Sequence, residues 1–244
     1  MALGRSEWTP LYGSPLDVKS ATVALRQGFV RKVYGILAAQ LVLTTVIACP
    51  IQRVDNKWLQ SNQWLMALSL VMTMITMCAM YCCRDIARKF PSNYALLFTF
   101  TAFEGVLVGF ISAMYTWQSV LLAAGITVVV FMGLTVFAFV SNTDFTGMGP
   151  YLFAAGMTLC VFGFVLCILG ICGIHVPALI ALYDFLGVLL FLFYIIFDTQ
   201  RILGEWGGHS EQFGIDDYVM AALQLYMDII NLFMHILRLV GQRK

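Results

Sequence analysis

Two carboxylates near the C-terminal end of the sequence, Asp198 and Asp228, stand where carboxylates are costly. Asp228 lies near the middle of the apolar run Tyr218–Leu237, and Asp198 closes the preceding run in Phe-Tyr-Ile-Ile-Phe-Asp-Thr-Gln. An isolated ionised carboxylate in the hydrocarbon core of a bilayer costs at least ~2.5 kcal/mol, so each must find a partner, hold a proton or face water. Two close carboxyls share one proton at moderate pH, and their titration belongs to the pair. Loss of that proton leaves a repulsion that a hard cation relieves, and calcium prefers carboxylate and carbonyl oxygen. Asp198 and Asp228 are therefore candidates for a site that holds a proton or a hard cation such as calcium.

The last run carries more polar groups. Asp217, Ala221, Gln224, Asp228, Asn231, His235 and Arg238 follow one another at helical steps of four and three, which places them on one stripe of a helix. Such a stripe in a membrane helix points at a cavity or at other helices. An interhelical hydrogen-bond seam suffices for Gln224 and Asn231, but a packing seam does not require an acid. Glu104, in Thr-Ala-Phe-Glu-Gly-Val, is a further intramembrane acid expected to face the interior. Asp184 is expected near the opposite interface. Asp216 and Asp217 suit the positive N-terminal end of the last helix, as caps or as a cation-attracting mouth. A nearby arginine would compete for the pair as a counter-ion. Arg84, at the end of the second span, is the first candidate for a salt bridge to Asp198, with Arg88 and Lys89 as alternatives; ordinary orientation charges are the bland reading of all three.

The elements that must position these groups are membrane helices. The 244 residues are 61% hydrophobic and only 11% charged, against roughly 25% charged in soluble domains. Seven apolar segments approximate Val33–Ile51, Trp64–Cys83, Tyr94–Tyr115, Ser119–Val140, Tyr151–Gly173, Pro177–Phe197 and Tyr218–Leu237. Each approaches the ~17–25 residues of a spanning helix, and all are too long and too uniformly apolar for barrel strands. The expected architecture is an all-α integral membrane protein with a polar N-terminal segment over 1–32 and a seven-helix domain over 33–244. Arg26–Tyr34 reads as an amphipathic surface helix or a solvated lead-in. Small residues at helical spacing (Gly105 and Gly109, Ser119 and Ala123, Gly156 and Gly163) read as sites of close helix approach.

Lys and Arg in the head and after the second span point to a cytosolic N-terminus. Seven crossings then place the basic tail Arg238, Arg243, Lys244 on the far side, against the charge rule, unless the last segment dips in and returns. The seven cysteines lie mostly in apolar runs and read as packing residues. A Cys49–Cys172 bridge and palmitoylation of Cys82 and Cys83 are weaker expectations. No basic-aromatic cluster suggests nucleic acid, no zinc-type or nucleophile motif suggests an enzyme, and no cofactor is expected.

Several stretches carry a resemblance. Phe-Asp-Thr-Gln at 197–200 and, above all, Asp-Tyr-Val-Met-Ala-Ala-Leu-Gln-Leu-Tyr-Met-Asp-Ile-Ile-Asn-Leu-Phe at 217–233 resemble the transmembrane BAX inhibitor motif family. Arg-Lys-Val-Tyr-Gly-Ile-Leu at 31–37 and Phe-Met-Gly-Leu-Thr-Val-Phe at 131–137 resemble its lifeguard branch, in particular the Golgi anti-apoptotic members. The resemblance implies a last helix central in the bundle, wrapped by the other six. It implies a pH-sensitive calcium leak of a Golgi or endoplasmic reticulum membrane that lowers luminal calcium and suppresses cell death. It also implies a sensor at Asp198 and Asp228 with a second-helix arginine latch, which falls on Arg84 or Arg88. The implied partners are calcium ions, protons, the lipid bilayer and cell-death regulatory proteins. The competing readings are a non-conducting regulator acting through protein partners and a proton-coupled carrier.

Overall fold

The computed structural model describes residues 23–83, 88–174, 176–204 and 208–244. The polar head through position 22, the expected latch Arg84 and the loop residue His175 lie outside the described residues. Inside lipid each backbone N–H and C=O must be paired within its own segment, which for uninterrupted apolar runs means helices. The elements are α1 (Val23–Gln52), a short α2 (Asn56–Ser61), α3 (Gln63–Cys82), α4 (Ser92–Ala113), α5 (Trp117–Val140), α6 (Gly149–Ile171), α7 (Pro177–Leu203) and α8 (Tyr218–Val240). Seven of these, all but α2, are long and apolar enough to cross a membrane. Among the described residues there is no strand, and the protein is an all-α, multi-pass membrane protein.

The last helix lies at the centre. Val219, Ala221, Ala222, Leu223, Leu225, Tyr226, Leu232 and Leu237 of α8 are fully buried, whereas α5 and α6 turn long runs of Val, Leu, Phe and Met outward to the lipid. α8 packs against α1, α4, α5 and α7, with α3 resting mainly on α4 and α6 on α7. Glycines set the closest approaches. A Cβ at Gly109 would stand 2.9 Å from the Ile51 Cβ, and one at Gly105 would stand 3.3 Å from the Thr44 Cα, so the α1–α4 crossing admits no larger residue there. Gly156 and Gly163 of α6 leave room for the hydroxyls of Tyr194 and Tyr183 on α7.

α1 differs from the expectation. It begins at Val23, not at Val33, and Arg26–Tyr34 is neither a surface helix nor a solvated lead-in but the opening turns of this span. Arg26 is 2% exposed. Its Nε donates to the Leu203 carbonyl at 2.8 Å, Nη2 to the Arg201 carbonyl at 2.6 Å and Nη1 to the Phe213 carbonyl at 3.2 Å. One guanidinium thus satisfies carbonyls left open at the end of α7, where the helix dipole also favours positive charge.

The tail is settled by its contacts. The Thr116 N–H donates to the Gln242 carbonyl at 2.9 Å, the Lys244 N–H to the Met114 carbonyl at 3.0 Å and the Lys244 ammonium to the Gln52 carbonyl at 2.9 Å. The end of α8 therefore lies with the end of α1 and the α4–α5 turn. Its start lies at the opposite face, beside Arg88. The last segment crosses the membrane and does not return. The expected Cys49–Cys172 bridge is not formed; all seven cysteines are free.

This arrangement places position 243 across the bilayer from position 83. With Arg243 replaced by Cys, a membrane-impermeant maleimide is expected to label that residue only from the side opposite to Cys83 in sealed vesicles; labelling of both from one side would mean that α8 does not cross.

Candidate ion and proton site

Asp198, four-fifths of the way along α7, and Asp228, mid-way along α8, meet on the antiparallel α7–α8 seam. They are 4% and 6% exposed. Each carboxyl stands in the field of the other, close enough to share a hydrogen bond once one of them carries a proton. A carboxylate only accepts hydrogen bonds, so such a bond requires a proton on one of the two. Asp228 Oδ2 is buried with no hydrogen-bond partner. The pair therefore presents an unsatisfied oxygen in a place without bulk water, a setting suited to exchange of a proton or cation.

The counter-ion comes from an unexpected residue. Arg201, one helical turn beyond Asp198, points its Nη1 at Asp198 Oδ1 at 3.4 Å and at Gln224 Oε1 at 3.5 Å. Its guanidinium lies over the Phe213 ring, 4.2 Å from the centroid, so the cation is held by aromatic and carbonyl surfaces as well as by the acid. Arg88, the alternative latch, does not reach Asp198. It makes a two-pronged salt bridge to Asp217, Nε to Oδ1 at 2.7 Å and Nη2 to Oδ2 at 3.0 Å. The reason is geometric: Arg88 follows α3 in the connection at the mouth, level with the start of α8, while Asp198 lies deeper. Sequence reasoning missed Arg201 because it sought the cation on another span; the i, i+3 spacing in Asp-Thr-Gln-Arg was the available signal.

A cavity of about 210 Å³ leads from this face toward the pair, lined by Tyr81, Arg88, Arg201, Phe213, Asp217 and Gln224 among others. The Arg88–Asp217 bridge stands at its mouth, and Arg201 and Gln224 stand at its floor. Asp217 thus takes part in a salt bridge to the α3–α4 connection as well as flanking the N-terminus of α8. Tyr81 and Gln224 both line the cavity.

The remaining stripe residues divide into two groups. Asn231 turns its amide back to the Met227 carbonyl of its own helix at 2.8 Å and joins no site. His235 belongs to a separate cluster nearer the other face: its Nδ1 lies 2.9 Å from Asp184 Oδ1, and Arg238 Nε donates to the same oxygen at 2.7 Å. Asp184 is 1% exposed. Gly187 makes the cluster possible, because the His235 ring occupies the space a Cβ would need. The seam therefore has two polar ties, acid with acid at one level and acid with His and Arg at the other. Glu104 is half-buried on α4, near Tyr226, whose hydroxyl bonds Thr44 at 2.7 Å; it lies apart from the Asp198–Asp228 pair. Among the described residues no group of three His, Cys, Asp or Glu side chains converges as a metal cage.

A third polar knot lies outside the membrane, in the α5–α6 connection. Burial pushes the Asp144 carboxyl up, but hydrogen bonds from the hydroxyls and N–H groups of Thr146 and Ser210 outweigh it and hold the group well below the usual carboxylate range. His209, 3% exposed and 3.6 Å from Asp144, is held below its ordinary value by burial, against the pull of that acid.

The family model described as inhibitor of apoptosis-promoting Bax1 matches residues 26–244. The chain belongs to the Bax inhibitor family. Relatives include protein lifeguard 3 of Homo sapiens, 34% identical over 90% of this chain and 70% of the relative. Bax inhibitor 1 of Schizosaccharomyces pombe is 30% identical over 92% of this chain and 80% of the relative. As a member of this family of anti-apoptotic membrane proteins, the chain is a membrane regulator and not an enzyme.

Two measurements probe these ties. Asp184→Asn strips the acid from a buried cluster that holds Arg238, and breaking such a tie costs ~3–5 kcal/mol; a clear fall in melting temperature is expected, larger than that of the lipid-facing Phe185→Leu. The second concerns His209. An unfolded chain takes up this proton from about pH 6.5 downward, whereas the folded chain resists it until lower pH, so this part of the stability is full above that value and lost as the medium acidifies. His209→Gln is expected to flatten the decline in melting temperature between neutral and mildly acidic pH; an unchanged slope would rule out that contribution.

Proposed function

We propose that this member of the Bax inhibitor family is a calcium-permeable leak of a Golgi or endoplasmic reticulum membrane, gated by a proton shared between Asp198 and Asp228. The observation that carries the reading is the closeness of two buried carboxyls, one with an unpartnered oxygen, beside the Arg201 that lines a cavity open to one face. While the pair holds its proton, α7 and α8 stay tied and the site has little net attraction for a cation. Loss of the proton sets two carboxylates against each other in a medium of low dielectric, where their repulsion is strong. A calcium ion then relieves what Arg201 alone does not neutralise.

Arg201 takes the counter-ion role next to Asp198, and the Arg88–Asp217 bridge closes the mouth. Arg84 remains a candidate second latch. The N-terminus faces the cytosol, as the basic residues near the Arg88 face suggest, and calcium released down its gradient lowers the luminal store. Reduced luminal calcium is the route by which the protein opposes cell death.

Purified protein in liposomes is expected to pass calcium with a steep dependence on pH. Asp228→Asn, which is permanently neutral, should leave a slow flux with little pH dependence, and Asp198→Asn should act in the same direction. Arg201→Gln should shift the opening of flux to higher pH than in the wild type, since a cation beside Asp198 favours loss of the shared proton. Flux in which both Asp variants keep the wild-type pH profile would refute the gate. No flux from the pure protein, with flux restored only by added death-regulating partners, would favour the non-conducting regulator; a saturable, substrate-dependent proton flux would mark a carrier.

A further inference from the structure

A larger cavity lies apart from the one beside Arg201. It is a groove of about 730 Å³ between α1 and α5, floored by Ile229, Ile230 and Phe233 of α8. Its volume falls within the roughly 300–1,000 Å³ of specific small-molecule sites. Along α5 it runs from Trp117 to Val128, about 16 Å at the helical rise. The walls are almost wholly apolar, and the groove opens sideways between two spans, toward lipid.

Its end at the membrane face is different. Arg53 and Lys244 stand there, and both line the groove. The Lys244 ammonium is held in place by the Gln52 carbonyl at 2.9 Å. Lys57 and Arg243 follow nearby in the chain, against one acid, Asp55. At the same level, Ser112 of α4 lines the groove with its side chain 2% exposed and its Oγ buried without a hydrogen-bond partner. A buried hydroxyl left unpaired is costly, and a ligand acceptor would remove that cost.

We propose that the groove binds one anionic glycerophospholipid taken from the leaflet at this face. An acyl chain lies between α1 and α5 on Ile230 and Phe233. The Ser112 hydroxyl donates to an ester carbonyl of the glycerol backbone. The phosphate meets Arg53 and Lys244, which supply charge-assisted hydrogen bonds. Three features select this occupant over a generic boundary lipid: an apolar slot long enough for an acyl chain, an unpaired hydroxyl donor lining it, and two cations at its end. The site lies on the opposite side of α8's midpoint from the cavity that leads to Asp198, so it goes beyond the ion pathway and does not depend on it.

The test is lipid binding to the purified full chain in detergent, followed by native mass spectrometry. The probes are palmitoyl-oleoyl phosphatidylglycerol, phosphatidylcholine with the same chains, and free oleate. One phosphatidylglycerol is expected to remain bound with about tenfold preference over phosphatidylcholine. The double variant Arg53→Gln, Lys244→Gln should bring phosphatidylglycerol down to the level of phosphatidylcholine. Thr45→Trp, at an exposed groove-lining position, should reduce both. Diazirine-bearing phosphatidylglycerol on the wild-type protein should crosslink within 41–53 and 117–128, a readout independent of how the variants fold. Equal retention of the two phospholipids by the wild type would overturn the proposal, as would oleate binding as tightly as phosphatidylglycerol, or crosslinks spread evenly over the outward faces of α5 and α6.

Discussion

A hydrocarbon medium makes an unpartnered polar group costly, and the α7–α8 seam meets that constraint by setting acid beside acid. Two carboxyl groups can touch in such a place only through a proton. Their contact therefore couples the packing of the two helices to proton occupancy. Ordinary helix seams use amides, hydroxyls or complementary charges, which stay satisfied across the physiological pH range. Here the tie is satisfied in one protonation state and repulsive in the other. The second tie on the same seam, Asp184 with His235 and Arg238, is of the complementary kind and serves as a fixed point. One level of the seam is thus held by opposite charges while the other sets acid beside acid.

The surrounding architecture makes this economical. α8 is buried on nearly all sides, so any polar side chain it carries must be matched by a neighbour. The Arg26 guanidinium closes the end of α7 by taking the Arg201 and Leu203 carbonyls. That fixes the backbone from which Arg201 reaches Asp198. Above the pair, Gln224, Tyr81 and the Arg88–Asp217 bridge form a short polar passage to one face. Toward the other face α8 presents Ile229, Ile230 and Phe233 to the groove between α1 and α5. The two cavities therefore lie against different flanks of one helix, one polar and close to the acids, the other apolar and open to lipid.

Much of this is legible in the residues alone. Low charge and seven long apolar runs demand a helical membrane bundle, and the four-and-three spacing from Asp217 to Arg238 shows one polar stripe on the last helix. The residues of that stripe do not announce their partners. His235 and Asp228 look equivalent in the sequence, yet one faces Asp184 and the other Asp198. Arg26 reads as a solvated charge because its partners are carbonyls at the end of a helix some 175 residues away. The start of α1 was masked in the same manner: polar residues that would end a span in lipid are tolerated when neighbouring helix ends receive them.

The sequence by itself determined the medium, the number of spans, and the two acids whose burial had to matter, because transfer of apolar and charged groups between water and hydrocarbon is a property of residue types and run lengths. Tertiary structure alone decided which helix is enclosed, which arginine stands beside Asp198, and that the tail of the chain reaches the far face. Those depend on the packing of antiparallel helices, where glycines permit close approach and depth along the axis, not distance along the chain, determines which polar groups meet.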